Sequence, residues 1–396
     1  MDKPIIYGQW WGTALSEDYG LSYKVLVSID KCMANDRGSM SLAGNNELSL
    51  SSISRIKFRN ISDNKVDVDF VDFLAFRDGE TLPPGINEDS CVPHTGSCAL
   101  NYGVNSSGIE ILTGVWRGVV NIPNQDDKVI NGGVSLFKVQ EPRALKSDGI
   151  IKWVDFKTKI SDRKKYPEGT FFRGQSNSEK PMCSVYHRAD CWDLYRFKEE
   201  LAPVLFEQLG IMANKTFLIG PNLDYGRPLF LAQHHGYPTP LIDWTLSPYI
   251  AAYFAFREPK KQQGQTARIF IFHQERWSNE QQAYVDGNFL SPYILVKPLQ
   301  VYTAGNNRAV SQMGTCIFSN VKNVENVLSF ASFVEDPTQH IEPYIEAYDF
   351  SYDERDMILQ DLRLMNINET SLFPDLDGVC RKLRIEHFPN LGICND

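Results

Sequence analysis

Apolar and polar positions alternate with a period of two along the first third of the chain. Tyr23-Lys-Val-Leu-Val-Ser-Ile29, Ile53-Ser-Arg-Ile-Lys-Phe58 and Val66-Asp-Val-Asp-Phe70 each put apolar side chains on one face and polar ones on the other, which predicts strands. Turn-forming clusters separate them: Asn35-Asp-Arg-Gly38, Ala43-Gly-Asn-Asn46, Ser62-Asp-Asn64 and Pro83-Pro-Gly85. Gly114-Val-Trp-Arg-Gly118 and Gly132-Gly-Val-Ser-Leu-Phe-Lys-Val139 supply the last strands. Helical periodicity is nearly absent here, so residues 1–142 are expected to form an antiparallel β barrel or sandwich.

Gln140-Glu-Pro-Arg-Ala-Leu-Lys-Ser-Asp148 breaks that pattern and marks a domain boundary. A helix is predicted next, capped by Ser147 or Asp148, with Ile151, Val154, Phe156 and Ile160 as its apolar stripe. A strand at Thr170-Phe-Phe-Arg173 follows, then a helix over Trp192–Gly210 with apolar residues at helical spacing. Leu229–His235 reads as a helix ended by Gly236 and Pro238, and Ser247-Pro248 opens another with proline at its first position. Strand runs at Ala267–Phe272, Tyr293–Val296 and Cys316–Phe318 precede a helix over Tyr352–Met365 and a closing helix after Gly378. The region 147–396 is therefore expected to be α+β.

Composition narrows the classes. A chain of 396 residues with 42% hydrophobic and 22% charged residues is an ordinary globular protein of two or three domains. Its net charge of −9 argues against broad nonspecific binding to nucleic acid. No apolar run reaches the roughly 20 residues of a membrane span. The start, Met1-Asp-Lys-Pro-Ile-Ile-Tyr7, lacks the layout of a signal peptide. A cytoplasmic location without membrane partners is expected. The eight cysteines include no Cys-Xaa-Xaa-Cys pair, which argues against a zinc knuckle and suits free thiols.

Candidate chemistry collects in two segments. Phe171-Phe-Arg-Gly-Gln-Ser176 ends a strand with a permanent cation, Arg173, whose forked donors suit phosphate or carboxylate. Gly174 admits a ligand or another backbone. The plainer reading of Arg173 is a salt bridge, for example to Asp243. Gln233-His-His-Gly236 and Asp243-Trp-Thr-Leu-Ser247 crowd polar groups around a loop that opens a helix. Adjacent histidines on a helix point about 100° apart, so His234 and His235 do not readily share one metal. A neutral histidine serves as a hydrogen-bond partner or a general base, and at least one is read as a core histidine. Ser247 is an N-cap by position, while a helix N-terminus also offers N–H groups to an anion. Tyr253 lies one turn beyond Tyr249, and Arg308 and Gln312 stand before a later strand as candidates for the same cleft.

These segments resemble the FRG domain, a bacterial module named for its Phe-Arg-Gly start. The resemblance runs from about residue 150 to 385. It rests on Phe172-Arg-Gly174, Ala232-Gln-His-His-Gly236, Leu241-Ile-Asp-Trp-Thr245 with Ser247-Pro248, Tyr253-Phe-Ala255, Arg308 with Gln312 and Gly314, and Leu372-Phe-Pro-Asp-Leu-Asp-Gly378. Pro240 departs from the basic or polar residue usual there. The opening Gly8-Gln-Trp-Trp-Gly12 is similar to the first strand of lipocalin-like barrels, although a tryptophan closing a barrel end explains it equally well.

Arg-Gly followed by Asp-Trp-Thr-Leu-Ser and a helix also resembles ADP-ribosyltransferases. That resemblance implies an enzyme consuming NAD as substrate, with no metal, acting as a toxin or anti-phage defence effector on a protein or nucleic-acid acceptor. Arg173, Gly174, Gln175, His234, Ser247, Tyr253 and Arg308 would bind the dinucleotide. Arg173, His235, Asp243, Thr245, Ser247, Gln312 and Glu346 would carry catalysis, with Glu342 or Glu346 as the carboxylate. The β domain would recognise an unknown partner or trigger. The alternatives are a metal-dependent nuclease or phosphodiesterase using His234, His235 and Asp243, and a non-catalytic module that reads an anion.

Overall fold

A computed structural model describes residues 6–387 apart from 19, 32–36, 45–50, 63, 78–79, 83–84, 88–89, 94, 121–125, 148, 214–225, 260–263, 282–292, 300–305 and 331–342. Asp148 and Glu342 therefore lie outside the described residues, as do parts of the turns at 35–46.

The N-terminal strands are β1 (Gly8–Ser16), β2 (Ser22–Ile29), β3 (Arg37–Gly44), β4 (Ser51–Ser62), β5 (Lys65–Arg77), β6 (Glu80–Leu82), β7 (Gly85–Asn87), β8 (Ser90–Val92), β9 (Thr95–Val104), β10 (Glu110–Val120) and β11 (Lys128–Lys138). Eight of them run antiparallel in the order β4-β3-β2-β1-β11-β10-β9-β5, and pairing of β4 with β5 closes the ring. The barrel alternative is thus the right one. Alternation sends Trp10, Val27, Ile56, Phe70, Leu100 and Leu136 inward to one shared core. Trp10 is fully buried, and its indole donates to Ile6 O at 2.8 Å, tying the entering chain to the barrel.

The second region contains α1 (Trp153–Ile160), β12 (Phe171–Gln175), α2 (Val185–Arg188), α3 (Leu194–Arg196), α4 (Ala202–Ala213), α5 (Gly226–His234), β13 (Leu241–Thr245), α6 (Pro248–Phe256), β14 (Thr266–Phe272) and α7 (Gln274–Glu280). It continues through β15 (Val296–Leu299), α8 (Asn307–Ser311), β16 (Gly314–Ser319), α9 (Val324–Phe330), β17 (Ile345–Ser351), α10 (Arg355–Leu364), α11 (Glu369–Leu372) and α12 (Leu376–His387). Its strands form one antiparallel sheet in the order β15-β16-β13-β12-β14-β17. Phe172, Ile269 and Ile271 cover one face with α6 and α1, whereas Phe171, Trp244, Phe270 and Ile317 form a separate core on the other.

Several local expectations change. The predicted Trp192–Gly210 helix is α3, a π-helical turn at Phe197–Leu201, and α4. Helix α1 starts after Lys152 with no side-chain cap; Ser147 lies too far upstream to provide one, and its hydroxyl bonds Gly149. Its buried stripe uses Trp153 rather than Val154, which is exposed. The strand predicted at Tyr293–Val296 begins only at Val296. Cys98, Cys183, Cys316 and Cys380 are free, but Cys191 is disulfide-bonded, which corrects the all-thiol expectation.

The barrel docks on the second region through buried polar groups. Asp30, 1% exposed, accepts hydrogen bonds from the backbone N–H groups of Trp192 and Asp193, the latter at 2.8 Å. Arg196 Nη1 reaches the other oxygen of Asp30 at 2.7 Å. Ser39 donates to Asp193 Oδ1 at 2.6 Å, and Gln9 Nε2 donates to Asn320 O at 2.6 Å. Ile53 of the barrel packs against Tyr195 beside these bonds. Among the described residues no helix is long and apolar enough to cross a membrane.

Candidate functional site

The site begins where two strands part. Strand β12 pairs along its whole length with β14, from Phe171↔Phe272 to Gln175↔Arg268. With β13 it makes only the Phe172↔Thr245 pair. Arg173 enters the opening, and its Nη1 donates to the backbone carbonyl of Asp243 at 2.6 Å. A side chain thus supplies the bond that the next backbone rung would have made. Burial lowers the pKa of this guanidinium, while the Asp243 charge works the other way. An arginine stays charged under either influence. Its Nε is buried with no partner among the described residues. Gln175 donates from Nε2 to Asn177 O at 2.8 Å and to Lys180 O, shaping the following loop.

Gly174 serves packing. A Cβ there would lie 1.8 Å from Ala251 O, so α6 approaches β12 more closely than any side chain permits.

The polar groups of β13 are anchored from α5. The Asp243 carboxylate accepts from Gln233 Nε2 at 2.6 Å, and Gln233 Oε1 in turn accepts from Thr239. His234 meets the Asn306 amide through Nδ1 at 2.9 Å and packs on Phe230, ring centroids 4.4 Å apart. Burial lowers its pKa despite the nearby Asp243, so it is neutral at pH 7. His235 follows the last residue of α5, in the turn, and is exposed.

A second wall comes from the end of the chain. Arg308 donates from Nε to Asp375 at 2.6 Å and from Nη1 to His234 O at 2.8 Å. Arg257, Arg308 and Arg381 lie 5.7, 5.8 and 4.6 Å from the Phe373 ring centroid. Gln312 donates to Leu372 O at 3.2 Å, and its own carbonyl accepts from Thr245 Oγ1 at 2.7 Å. Ser247 caps α6 by accepting from the Ile250 N–H at 3.3 Å. Tyr253 donates to Glu369, and burial together with that carboxylate raises the tyrosine's pKa. Phe373 and Asp375 lie in the Leu372–Gly378 motif, which folds back onto Arg308, but were given no role from sequence; Glu369 and Arg381 lie outside it and had no signal.

Residues 168–264 match the family model of the FRG domain. The chain carries an FRG domain. No curated protein and no solved structure matches the chain. The matched FRG stretch is shorter than the 150–385 expected from motifs. It includes Arg173, Gly174, Gln175, His234, His235, Asp243, Thr245, Ser247 and Tyr253, and leaves Arg308, Gln312 and Glu346 beyond its end.

The sheet also separates residues that the sequence grouped. Thr245, Phe172, Ile271 and Glu346 form one cross-strand row, whereas Arg173, Phe270 and Ala347 form the next, on the opposite face. Glu346 therefore lies behind the sheet from Arg173, and about 14 Å along the row from Thr245 at the usual strand spacing. It accepts from His273 Nε2 at 2.8 Å, Tyr166 at 3.1 Å and Tyr348, and pairs with Lys165 at 3.4 Å. Burial alone would raise its pKa, but the bonds from His273 and Tyr348 and the charge of Lys165 hold it at about 2. Glu346 and Arg173 cannot grip one small substrate in this arrangement. Among the described residues no three His, Cys, Asp or Glu side chains gather to share a metal, so His234, His235 and Asp243 form no ligand set.

Proposed function

We propose that the FRG domain anchors the diphosphate of NAD at Arg173 and breaks the nicotinamide–ribose bond, passing ADP-ribose to an acceptor or to water. The supporting observation is Arg173 itself. It sits in the opening between β12 and β13, is bonded to a carbonyl rather than a carboxylate, and keeps an unpartnered donor. A guanidinium so placed makes no ion pair among the described residues, and its fork suits a phosphate.

In the reaction the bond electrons leave with nicotinamide, which departs neutral. The ribose carbon becomes oxocarbenium-like and forms its new bond to a nucleophile that gives up a proton. A fixed carboxylate stabilises that cation. Asp243 is the carboxylate whose charge acts most on Arg173, and Gln233 fixes its orientation. Its side chain, two positions from Thr245, leaves β13 on the other face from Arg173, so the two meet one substrate only through the gap where β12 and β13 part. An effector of this kind, toxin or anti-phage, would slow growth when expressed, and Arg173→Lys would relieve the effect.

The test is nicotinamide release from NAD, with and without candidate protein and nucleic-acid acceptors. Release that falls roughly 10²–10³-fold in Arg173→Lys and in Asp243→Asn is expected. No release under any condition sinks the enzymatic reading. One observation favours a second reading, an anion-reading module without catalysis: the polar atoms of Thr245, Ser247 and Gln312 all hold framework bonds. Binding of ADP-ribose with no turnover of NAD would select it.

A further inference from the structure

Two buried donors belong to facing residues where the strands part. Arg173 Nε and Trp244 Nε1 both lack a partner among the described residues. The Phe172↔Thr245 pair makes Trp244 the next residue of β13 facing Arg173 on β12, so the two side chains share a face. Arg173 also holds the carbonyl of Asp243, the residue before Trp244. Trp244 is 3% exposed and walled by the rings of Phe171 and Phe272, 6.5 and 5.6 Å away.

Guanidinium and indole N–H groups only donate, so neither can satisfy the other. Buried donors almost always have an acceptor. The nearby carboxylates are committed elsewhere. Asp243 binds Gln233, and Glu325 accepts from the Leu145 and Met182 N–H groups. What suits both donors is an oxygen acceptor, and the cation favours an anionic one.

We propose that Arg173 Nε and Trp244 Nε1 form a two-donor receptor for a phosphoryl oxygen, on the sheet face away from Thr245 and Glu346. This rests on Arg173 as an anion anchor and makes Trp244 a binding residue. Inorganic phosphate and the diphosphate of a nucleotide offer the same oxygen.

The experiment uses the full chain labelled with ¹⁵N. Trp244→Phe keeps the ring, removes the donor and identifies the Trp244 indole resonance by its loss. Adding ADP-ribose should move that resonance downfield, and adenosine should not. A shift with inorganic phosphate as well means that the receptor selects the oxyanion itself. A shift with ADP-ribose alone means that it selects the diphosphate. Calorimetry should show ADP-ribose binding weakened at least tenfold in Trp244→Phe. Indole resonances that all stay put at saturating ADP-ribose overturn the proposal even if the variant misfolds, because that measurement needs only the wild-type chain. NAD turnover with unchanged KM in Trp244→Phe overturns it while leaving the enzymatic reading intact. An indole shift without nicotinamide release does the reverse.

Discussion

Replacing Asp30 by alanine should uncouple the barrel from the FRG-bearing region. The carboxylate is almost fully buried and holds two backbone N–H groups and the guanidinium of Arg196. Asp30→Ala strands all three donors and leaves a cation with 11% side-chain exposure short of its main partner. Breaking a buried pair from one side costs about 3–5 kcal/mol. Arg55 and Asp72 supply the contrast, an ion pair with side chains 48% and 53% exposed. Arg55→Ala should cost less than about 1 kcal/mol. Urea unfolding followed by tryptophan fluorescence measures both, since Trp10 reports the barrel core and Trp192 the docking surface. The expected result is a lower midpoint for Asp30→Ala and unfolding in two resolved steps. If its loss does not exceed that of Arg55→Ala, the buried carboxylate does not hold the domains together and the reasoning fails.

Two further outcomes follow from the geometry. Gly174→Ala places a methyl group against Ala251 O and should destabilise the protein by roughly 3 kcal/mol, measured by denaturant midpoint; wild-type stability would show that α6 can retreat from β12. Two carboxyl groups should give opposite pH dependences in thermal melts. Glu346, lowered from 4.5 to about 2, adds stability that is lost as pH falls through that range. Asp193, which burial raises from 3.8 to about 7, adds stability that is lost as pH rises through that range. Glu346→Gln and Asp193→Asn should each flatten its own limb, and unaltered limbs would refute the assignments.

Much of the architecture was legible because burial writes a period into sequence. Strands β4 and β5 show alternation, and α6 announces itself through Ser247 and Pro248, whereas β2 alternates in sequence but is buried throughout its second half. The π-helical turn within Trp192–Gly210 left no mark, since the same apolar spacing suits either winding. The candidate site was legible as composition but not as geometry. Arg173 and Thr245 sit on adjacent strands, yet one step of register turns them to opposite faces, and no spacing along the chain reveals register. Glu346 shows the same limit. Its tyrosine, histidine and lysine partners come from residues 165–166, 273 and 348, which only folding brings together.

Closure of the barrel limits how residues 1–142 can meet another macromolecule. Apart from the three-residue β6, β7 and β8, the barrel strands bond on both sides, so among the described residues no long row of main-chain groups is open for a visiting segment to zip onto. A guest must instead be read by side chains on the outer wall or by the connecting loops. Such surfaces change their preferences by substitution without disturbing the scaffold beneath.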